Sequence, residues 1–455
     1  MYLAKSLEMA LKKEFDLHSN NYYRKSLLDI KGLECSKEFW NVDETIAELS
    51  YLTHDYFRYY GKFPSKVGKL IIEDLLRNNW IDKTEDFLVD NYAGSGTSLV
   101  EAKLAGIDSV GIDINPFAVL ACRVKTYNYN VENLHSIWGD LREKIYKYMY
   151  LYEDKLLSRI VTQYDKGKKE EIDREIKHLL SLDDFTKWFS DRAVRELVII
   201  KKMLLEYNYN REREFFDLGF FAVIRRVSHA YDAEVRPHVN KKKKERSAIE
   251  AFTKKIDEML NTMSEWNKTT GNGCYSNAYL VNNVDFDGVN QVISNMKKRT
   301  GKKLGAIISH PPYLNCFDYI PVYKLKFMWA EGFNEIFGKM SYEQIKASEI
   351  KSYPVNNDCQ IDRYFEHNYK VYKNTYENLR KDGFCCVIIG DCTVKKELFS
   401  VHKAFIKMLE ETGFKLIKIA YRSTNYGMGK YAYNFRASYS EDQNSKQDAI
   451  LFFKK

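Results

Sequence analysis

The sequence predicts an α/β protein on a mostly parallel sheet of about seven strands, with a large helical insertion between the second and third strands. Three observations lead there. From Phe87 to Pro116 the chain reads FLVDNYAGSGTSLVEAKLAGIDSVGIDINP: a strand, a glycine turn, a helix and a second strand. Further apolar runs come from residue 277 onwards, most of them separated by segments with helical spacing. Between these two regions, from about 131 to 270, no clear strand occurs, and apolar residues recur at helical intervals in KWFSDRAVRELVIIKKMLLEY and EFFDLGFFAVIRRVSHAY.

The residues on either side of the glycine turn narrow its use. A phosphate-gripping loop needs Gly-Lys-Ser/Thr, but Gly94-Ser95-Gly96 leads into Thr97-Ser98, with no lysine to meet a phosphate. A dinucleotide fold wants three spaced glycines, and only two are here. There remains a tight strand-to-helix turn with a carboxylate, Asp113, about 20 residues on, where it can grip ribose hydroxyls. On its own this turn suits a nucleoside pocket and an ordinary α/β connection alike, so other residues must decide.

Length and composition narrow the classes. A chain of 455 residues with 29% charged and 45% hydrophobic residues is globular and long enough for two or three domains. No apolar run is long enough to cross a bilayer, which leads to the expectation of a cytoplasmic protein with no membrane partner. The eight cysteines form no CxxC pair and no cluster at metal-ligand spacing, so no metal is expected and the thiols serve as small hydrophobes. A net charge of +8 is modest for this size, but it is concentrated locally.

Taken in order, residues 1–45 form an extension with no evident chemistry. Then comes the loop Lys62-Phe63-Pro64-Ser65-Lys66, where proline ends a loop just before an amphipathic helix leading into the glycine strand. After Asp113, Asn115-Pro116 opens another helix. Within the insertion lies RPHVNKKKKER, residues 236–246, which cannot pack in a core. Together with Arg225 and Arg226, its Arg236, Lys241, Lys242, Lys243, Lys244 and Arg246 are expected to contact phosphates; a merely solvated loop is the alternative. The sheet resumes with NAYLVNNVDF at 277–286 and LGAIISHPPY at 304–313, where Pro311 and Pro312 end the strand and present Tyr313 rigidly. GFCCVIIGD at 383–391, a helix, KLIKIAYRS and DAILFFKK complete the count, the last two joined by a loop. Arg422, Lys430 and Arg436, in and beside STNYGMGKYAYNFRAS, belong to a segment that suits either a wall against DNA or a plain hairpin loop.

KFPSK, YAGSGTSLVEA, GIDINPFAVLACRVKT, a strand ending in HPPYLNCFDY, and VIIGDCTV, in this order, resemble the S-adenosylmethionine-dependent DNA amino-methyltransferases of the cytosine-N4/adenine-N6 kind. The resemblance covers roughly residues 50–455 and includes WFSDRAVREL and IRRVSHAY within the insertion. It implies a Rossmann-like seven-stranded methyltransferase sheet, divided into a cofactor-binding half (46–135), a helical insertion for target recognition (136–272) and a catalytic half (273–455). It implies that Asp90, Tyr92, Gly94, Ser95, Gly96 and Thr97 wrap S-adenosylmethionine, that Asp113 holds its ribose, and that Phe63 and Pro64 cover its methionine end. Asp285 would stand against the adenine. His310, Pro311, Pro312 and Tyr313 match the catalytic tetrapeptide.

The chemistry of that tetrapeptide can be argued independently. An exocyclic amino group donates its lone pair into the base ring and is a poor nucleophile until acceptors hold its hydrogens. A side-chain acceptor followed by a backbone carbonyl supplies this, while the aromatic ring stacks on an extruded base. Relatives usually have Ser, Asp or Asn first, where this chain has His310; neutral imidazole still offers one acceptor nitrogen. Relatives often have histidine where this chain has Gly61. The expected function is site-specific methylation of double-stranded DNA with a flipped target base, cytosine-N4 ahead of adenine-N6, in a restriction-modification setting whose restriction or phage-defence partner the sequence leaves unnamed. An RNA or tRNA base methyltransferase and a DNA-binding pseudo-enzyme inactivated at His310 are the alternatives.

Overall fold

The computed structural model describes residues 35–423 and 447–455, except 41, 43, 154–162, 272, 339, 395 and 396. Among the described residues ten strands run in chain order as β1 (Ser36–Trp40), β2 (Asp86–Asp90), β3 (Ser109–Asp113), β4 (Ser276–Leu280), β5 (Lys303–Ser309), β6 (Phe384–Gly390), β7 (Cys392–Val394), β8 (Glu397–Phe399), β9 (Lys415–Ser423) and β10 (Gln447–Lys454). Eight of them form one sheet in the order β1-β9-β10-β6-β5-β2-β3-β4, and β7 with β8 makes a separate hairpin. Every pairing in the large sheet is parallel except those of β10, which is antiparallel to both β6 and β9. Antiparallel neighbours need no crossover helix between them, and the stretch that joins β9 to β10 lies outside the described residues.

The sheet is the Rossmann-like one expected, widened by a strand. Seven strands match the sequence reading, and the eighth, β1, comes from the segment assigned to the N-terminal extension. SKEFW lacks clean alternation, but it pairs in parallel with β9, Ser36 opposite Lys418 through Trp40 opposite Arg422. Its Trp40 is buried and meets the Phe452 ring edge-on at 6.1 Å.

The central strands are buried on both faces, which is why they read as unbroken apolar runs. All five residues of β2 and all seven of β6 are buried. The chain leaves β2 towards β3 and β4 on one side and returns to β5 on the other, so the strand order reverses between β2 and β5. In open α/β sheets a ligand crevice forms at the carboxyl edge of such a reversal. Register sharpens the point: Asp90 pairs with Ile308, so the glycine turn after β2 and the proline loop after β5 leave the sheet as immediate neighbours.

The insertion is helical. Between β3 and β4 stand helices Val131–Glu153, Gln163–Leu180, Asp183–Trp188, Asp191–Leu204, Arg211–Val227 and Ala248–Thr270. Ser190, Asn210 and Ser247 each cap a helix start by accepting a backbone N–H with the side chain. Apolar faces make them one body with the sheet. Phe221 meets Phe117 of the helix after β3 at 5.0 Å, while Phe220 stacks on Phe333, beyond the proline loop, at 5.6 Å. No helix among the described residues is long and apolar enough to cross a membrane.

Candidate active site

The glycine turn is shaped by close approach. Gly94 and Gly96 have φ of +49° and +78°, a region that favours glycine. A Cβ on Gly94 would stand 3.1 Å from the Tyr59 ring, and one on Gly96 would stand 2.9 Å from Cys122 Sγ. Gly94 N–H donates to Asp113 Oδ2 at 2.8 Å, and Asn115 N–H donates to Asp113 Oδ1 at 2.8 Å. Asp113 is thus fixed at the end of β3 by backbone donors on both oxygens, and burial pushes its carboxyl up to about 6.

Two cavities flank this framework. The first is lined by Tyr92, Gly94, Ser95, Thr97, Asp113 and Asn115 on the sheet side, and by Lys62, Phe63, His310 and Pro312 across from them. The second, of about 430 Å³, is lined by Phe63, Pro64, His310, Tyr313, Phe317, Arg58, Arg422 and Asp448, among others. Tyr59, Gly61, Lys62, Phe63, His310 and Tyr319 border both cavities and so form a shared wall. In that wall the His310 ring stands edge-on to Phe63 at 5.3 Å and to Tyr313 at 5.0 Å.

The proline loop is braced from several elements. Tyr364 O–H donates to Pro312 O at 2.7 Å, and Asn315 N–H donates to Ser352 O at 2.6 Å. Ser309, just before His310, is buried and shares a 2.6 Å hydrogen bond with the Tyr372 hydroxyl. The histidine therefore projects from a held backbone, with little freedom left to reorganise. Gly61 has φ +82°, and a Cβ there would stand 2.9 Å from Tyr319 Cε1. This accounts for the missing histidine at position 61, because Tyr319 fills the space a side chain would need.

Several expected site residues lie elsewhere. Asp90 is not in the wall of either cavity. Its carboxyl sits beneath the turn, accepting from Tyr92 N–H at 3.0 Å and from the Ser98 hydroxyl, and burial pushes it up to about 7. Gly96 and Pro311 likewise shape their loops from outside the linings. Asp285 is exposed and caps the helix Phe286–Thr300 by accepting from Gly288 N–H at 3.2 Å. Asn282 and Asn283, just before it, line the first cavity instead. Pro64 borders only the second cavity.

The basic cluster divides in two. Arg225 is buried and its guanidinium donates to Tyr231 O at 3.0 Å and Val235 O at 2.8 Å, tying down the loop after its helix. Lys243 is only 7% exposed and donates to Ala230 O at 2.7 Å and Asp232 Oδ1 at 2.8 Å. Backbone carbonyls and the Asp232 carboxylate thus hold these two cations, expected to contact phosphates, within the fold. Arg236 faces the proline loop, 3.2 Å from Asp318 and over the Tyr353 ring at 5.1 Å. Arg226, Lys241, Lys242, Lys244 and Arg246 are exposed, the last pairing with Asp232 at 3.0 Å. Arg58, at the rim of the second cavity, donates to Asp232 O at 2.8 Å, so the basic loop adjoins that cavity's mouth. Lys430 and Arg436 lie outside the described residues.

Sequence reasoning missed residues from distant segments. Ser348, Glu349 and Ile350 close one side of the first cavity. Asn282 Nδ2–H donates to Ser348 O at 3.3 Å, and Glu349 accepts from the N–H groups of Tyr319 and Ile320. Burial pushes the Glu349 carboxyl up to about 7. No motif marks it.

No family model matches the chain. Among curated proteins it is 26% identical over 205 residues to the type II methyltransferase M.MjaII of Methanocaldococcus jannaschii, covering 43% of this chain and 38% of that protein. It is 26% identical over 185 residues to M.MvaI of Kocuria varians, covering 41% and 36%, and 24% identical over 297 residues to M.BsoBI of Geobacillus stearothermophilus, covering 62% and 53%. Both of these are also named type II methyltransferases. The chain is a relative of the type II methyltransferases. The matches span between about a third and a half of those methyltransferases' own length. Among solved structures, the rRNA methyltransferase AviRa from Streptomyces viridochromogenes covers 87% of this chain and 86% of its own at 10% identity, with a TM-score of 0.29, too loose a superposition to bear on function.

Proposed function

We propose that this methyltransferase relative transfers a methyl group from S-adenosylmethionine to an exocyclic amino group of a base extruded from double-stranded DNA. One observation carries the reading: two cavities at the carboxyl edge of the sheet share a wall in which His310 stands. Methyl transfer needs the amino nitrogen to reach the methyl carbon directly with a hydrogen acceptor beside the nitrogen, and His310, which borders both cavities, stands where such an acceptor is needed.

The first cavity fits the cofactor by chemistry. Its glycine turn brings bare backbone to the cleft, the Asp113 carboxylate is set for ribose hydroxyls, and the buried Ser95 Oγ has no hydrogen-bond partner among the described residues. The cleft encloses about 80 Å³. That is narrower than the roughly 300 Å³ at which ligand pockets begin. A nucleoside is therefore admitted as a wall of the cleft moves. When bound, the cofactor supplies an electrophilic methyl group.

The protein's own residues do the rest. Tyr59, Phe63 and the glycine turn hold the donor against His310. Tyr313 offers its ring to the base, and the His310 imidazole accepts a hydrogen from the amino group, drawing its nitrogen towards tetrahedral geometry. The methyl carbon would leave sulfur, which keeps the electron pair, as it bonds to nitrogen, and the proton that nitrogen then loses would pass to the same imidazole nitrogen. Arg226, Lys241, Lys242, Lys244 and Arg246 meet phosphates beside the mouth of the second cavity. The test is transfer of tritium from methyl-labelled cofactor into mixed-sequence duplex DNA and, separately, tRNA. Label in duplex DNA alone is expected; label in tRNA alone, or binding of DNA and cofactor without transfer, would overturn the reading.

A further inference from the structure

We propose that the Tyr231 ring enters the DNA duplex and fills the gap that the extruded base leaves. This rests on reading the second cavity as the seat of that base. Tyr231 follows the helix Arg211–Val227 and precedes the lysine run, and it is 42% exposed. Only its backbone is engaged: among the described residues its ring meets no other ring or cation, and its hydroxyl has no hydrogen-bond partner. A singly exposed aromatic needs no explanation by itself. The way its backbone is held does.

Tyr231 N–H donates to His238 O at 3.1 Å, and Tyr231 O accepts from Arg225 Nε at 3.1 Å and Nη2 at 3.0 Å. On one side, Ala230 O accepts from Lys243 Nζ at 2.7 Å. On the other, Asp232 O accepts from Arg58 Nη1 at 2.8 Å, and the Asp232 carboxylate accepts from Lys243 at 2.8 Å and Arg246 at 3.0 Å. Four cations thus converge on three consecutive residues. Two of them, Arg225 and Lys243, are largely withdrawn from water, which costs hydration that a loop of no consequence would not require. What they hold in place is a turn whose central side chain packs on nothing. With its backbone already ordered, that ring loses little freedom when it stacks.

The surroundings suit a duplex. Arg58, which holds Asp232 O, lines the second cavity, so the turn stands beside that cavity's mouth. Arg226, Lys241, Lys242, Lys244 and Arg246 make an exposed cationic face around it. Its acids are paired, Asp232 as above and Glu234 with the His238 ring at 2.5 Å. A base that leaves the helix unstacks from both neighbours, and a side chain wedged between those neighbours recovers part of that loss. Tyrosine offers them two flat faces, and such stacking works with any base.

The experiment begins by mapping the position that the full-length wild-type protein methylates in mixed-sequence duplex DNA. A synthetic duplex carrying that site is then made in two forms, with the target correctly paired and with it mismatched, since a mismatched base is extruded at less cost. Tyr231→Ala should lower kcat/KM on the paired form by about 5- to 100-fold, the worth of one stacked ring. On the mismatched form, where extrusion needs little help, it should approach wild type. Tyr231→Phe keeps the ring and should match wild type on both forms. Cofactor affinity should be unchanged in both variants, which checks that they are folded. An equal loss on both forms would make the side chain an ordinary DNA contact, and no loss on either would leave the gap unfilled by it. Each result overturns the proposal and leaves the methylation reading standing, whereas no transfer to duplex DNA by the wild type would overturn both.

Discussion

Cofactor binding should depend on the Asp113 carboxylate and, through it, on pH. Both Asp113 oxygens accept backbone N–H groups at 2.8 Å, and burial raises its carboxyl to about 6 from an ordinary 3.8. Ribose hydroxyls can only donate to a carboxylate, so they bind the ionised form and pull its pKa back down. Binding then releases a proton below pH 6 and none above it. Affinity should be level from pH 7 upward and fall about tenfold for each unit below about pH 6, at about 1.4 kcal/mol per unit. Asp113→Asn keeps the shape but replaces one acceptor with a donor. Losing one hydrogen bond to a charged group, at about 1.5–3 kcal/mol, should weaken S-adenosylmethionine binding by about 10- to 100-fold. The Glu349 carboxyl, about 7 in the same cavity, also titrates nearby, so calorimetry is best repeated on Glu349→Gln, which should retain the fall below pH 6. A pH-independent affinity in that variant, or an Asp113→Asn protein binding as wild type does, would remove Asp113 from the site.

Other outcomes rest on the contacts around the site. Replacing the exposed Lys241, Lys242 and Lys244 with Gln should weaken DNA binding across sequences and reduce the salt slope by about 3; an unchanged slope in filter binding at several salt concentrations would place the phosphate surface elsewhere. Lys243→Gln should instead lower thermal stability through its lost bonds to Ala230 O and Asp232. Tyr313→Ala should impair transfer by roughly 1–3 kcal/mol for the lost stacking surface, read as kcat/KM on DNA. The Asp90 carboxyl, about 7 in the fold against 3.8 ordinarily, keeps its proton between those values while the unfolded chain ionises. Stability should therefore fall as pH rises from about 4 to about 7, by up to about 4 kcal/mol from this group, and level off above. Asp90→Asn should flatten that part of the denaturant-midpoint profile.

The sequence carried the two loops because backbone geometry leaves residue-level marks. Gly94 and Gly96 occupy conformations and close approaches that favour glycine, and paired prolines must end a strand, so their positions could be read directly. Central strands buried on both faces appear as apolar runs for the same reason. Asn282, Asn283 and Glu349 left no such mark. They reach the cavity through tertiary placement, and a polar residue just after a strand or helix looks like any surface residue until its neighbours are known. Charge runs were ambiguous in another way: composition rules out burial of four lysines together, but not of one. Lys243 and Arg225 are satisfied by carbonyls of a folded loop whose path no periodicity announces. The edge strand β1 was hidden because only Trp40 among its residues is buried.

The central claim is that the His310 wall is where donor and acceptor meet. Its most direct test is single-turnover transfer from a preformed complex of protein, labelled S-adenosylmethionine and duplex DNA, comparing wild type with His310→Ala and His310→Ser. The account expects all three proteins to bind both ligands, His310→Ala to transfer nothing, and His310→Ser to retain measurable transfer through its hydroxyl acceptor. A His310→Ala protein that transfers the methyl group at the wild-type rate would contradict it.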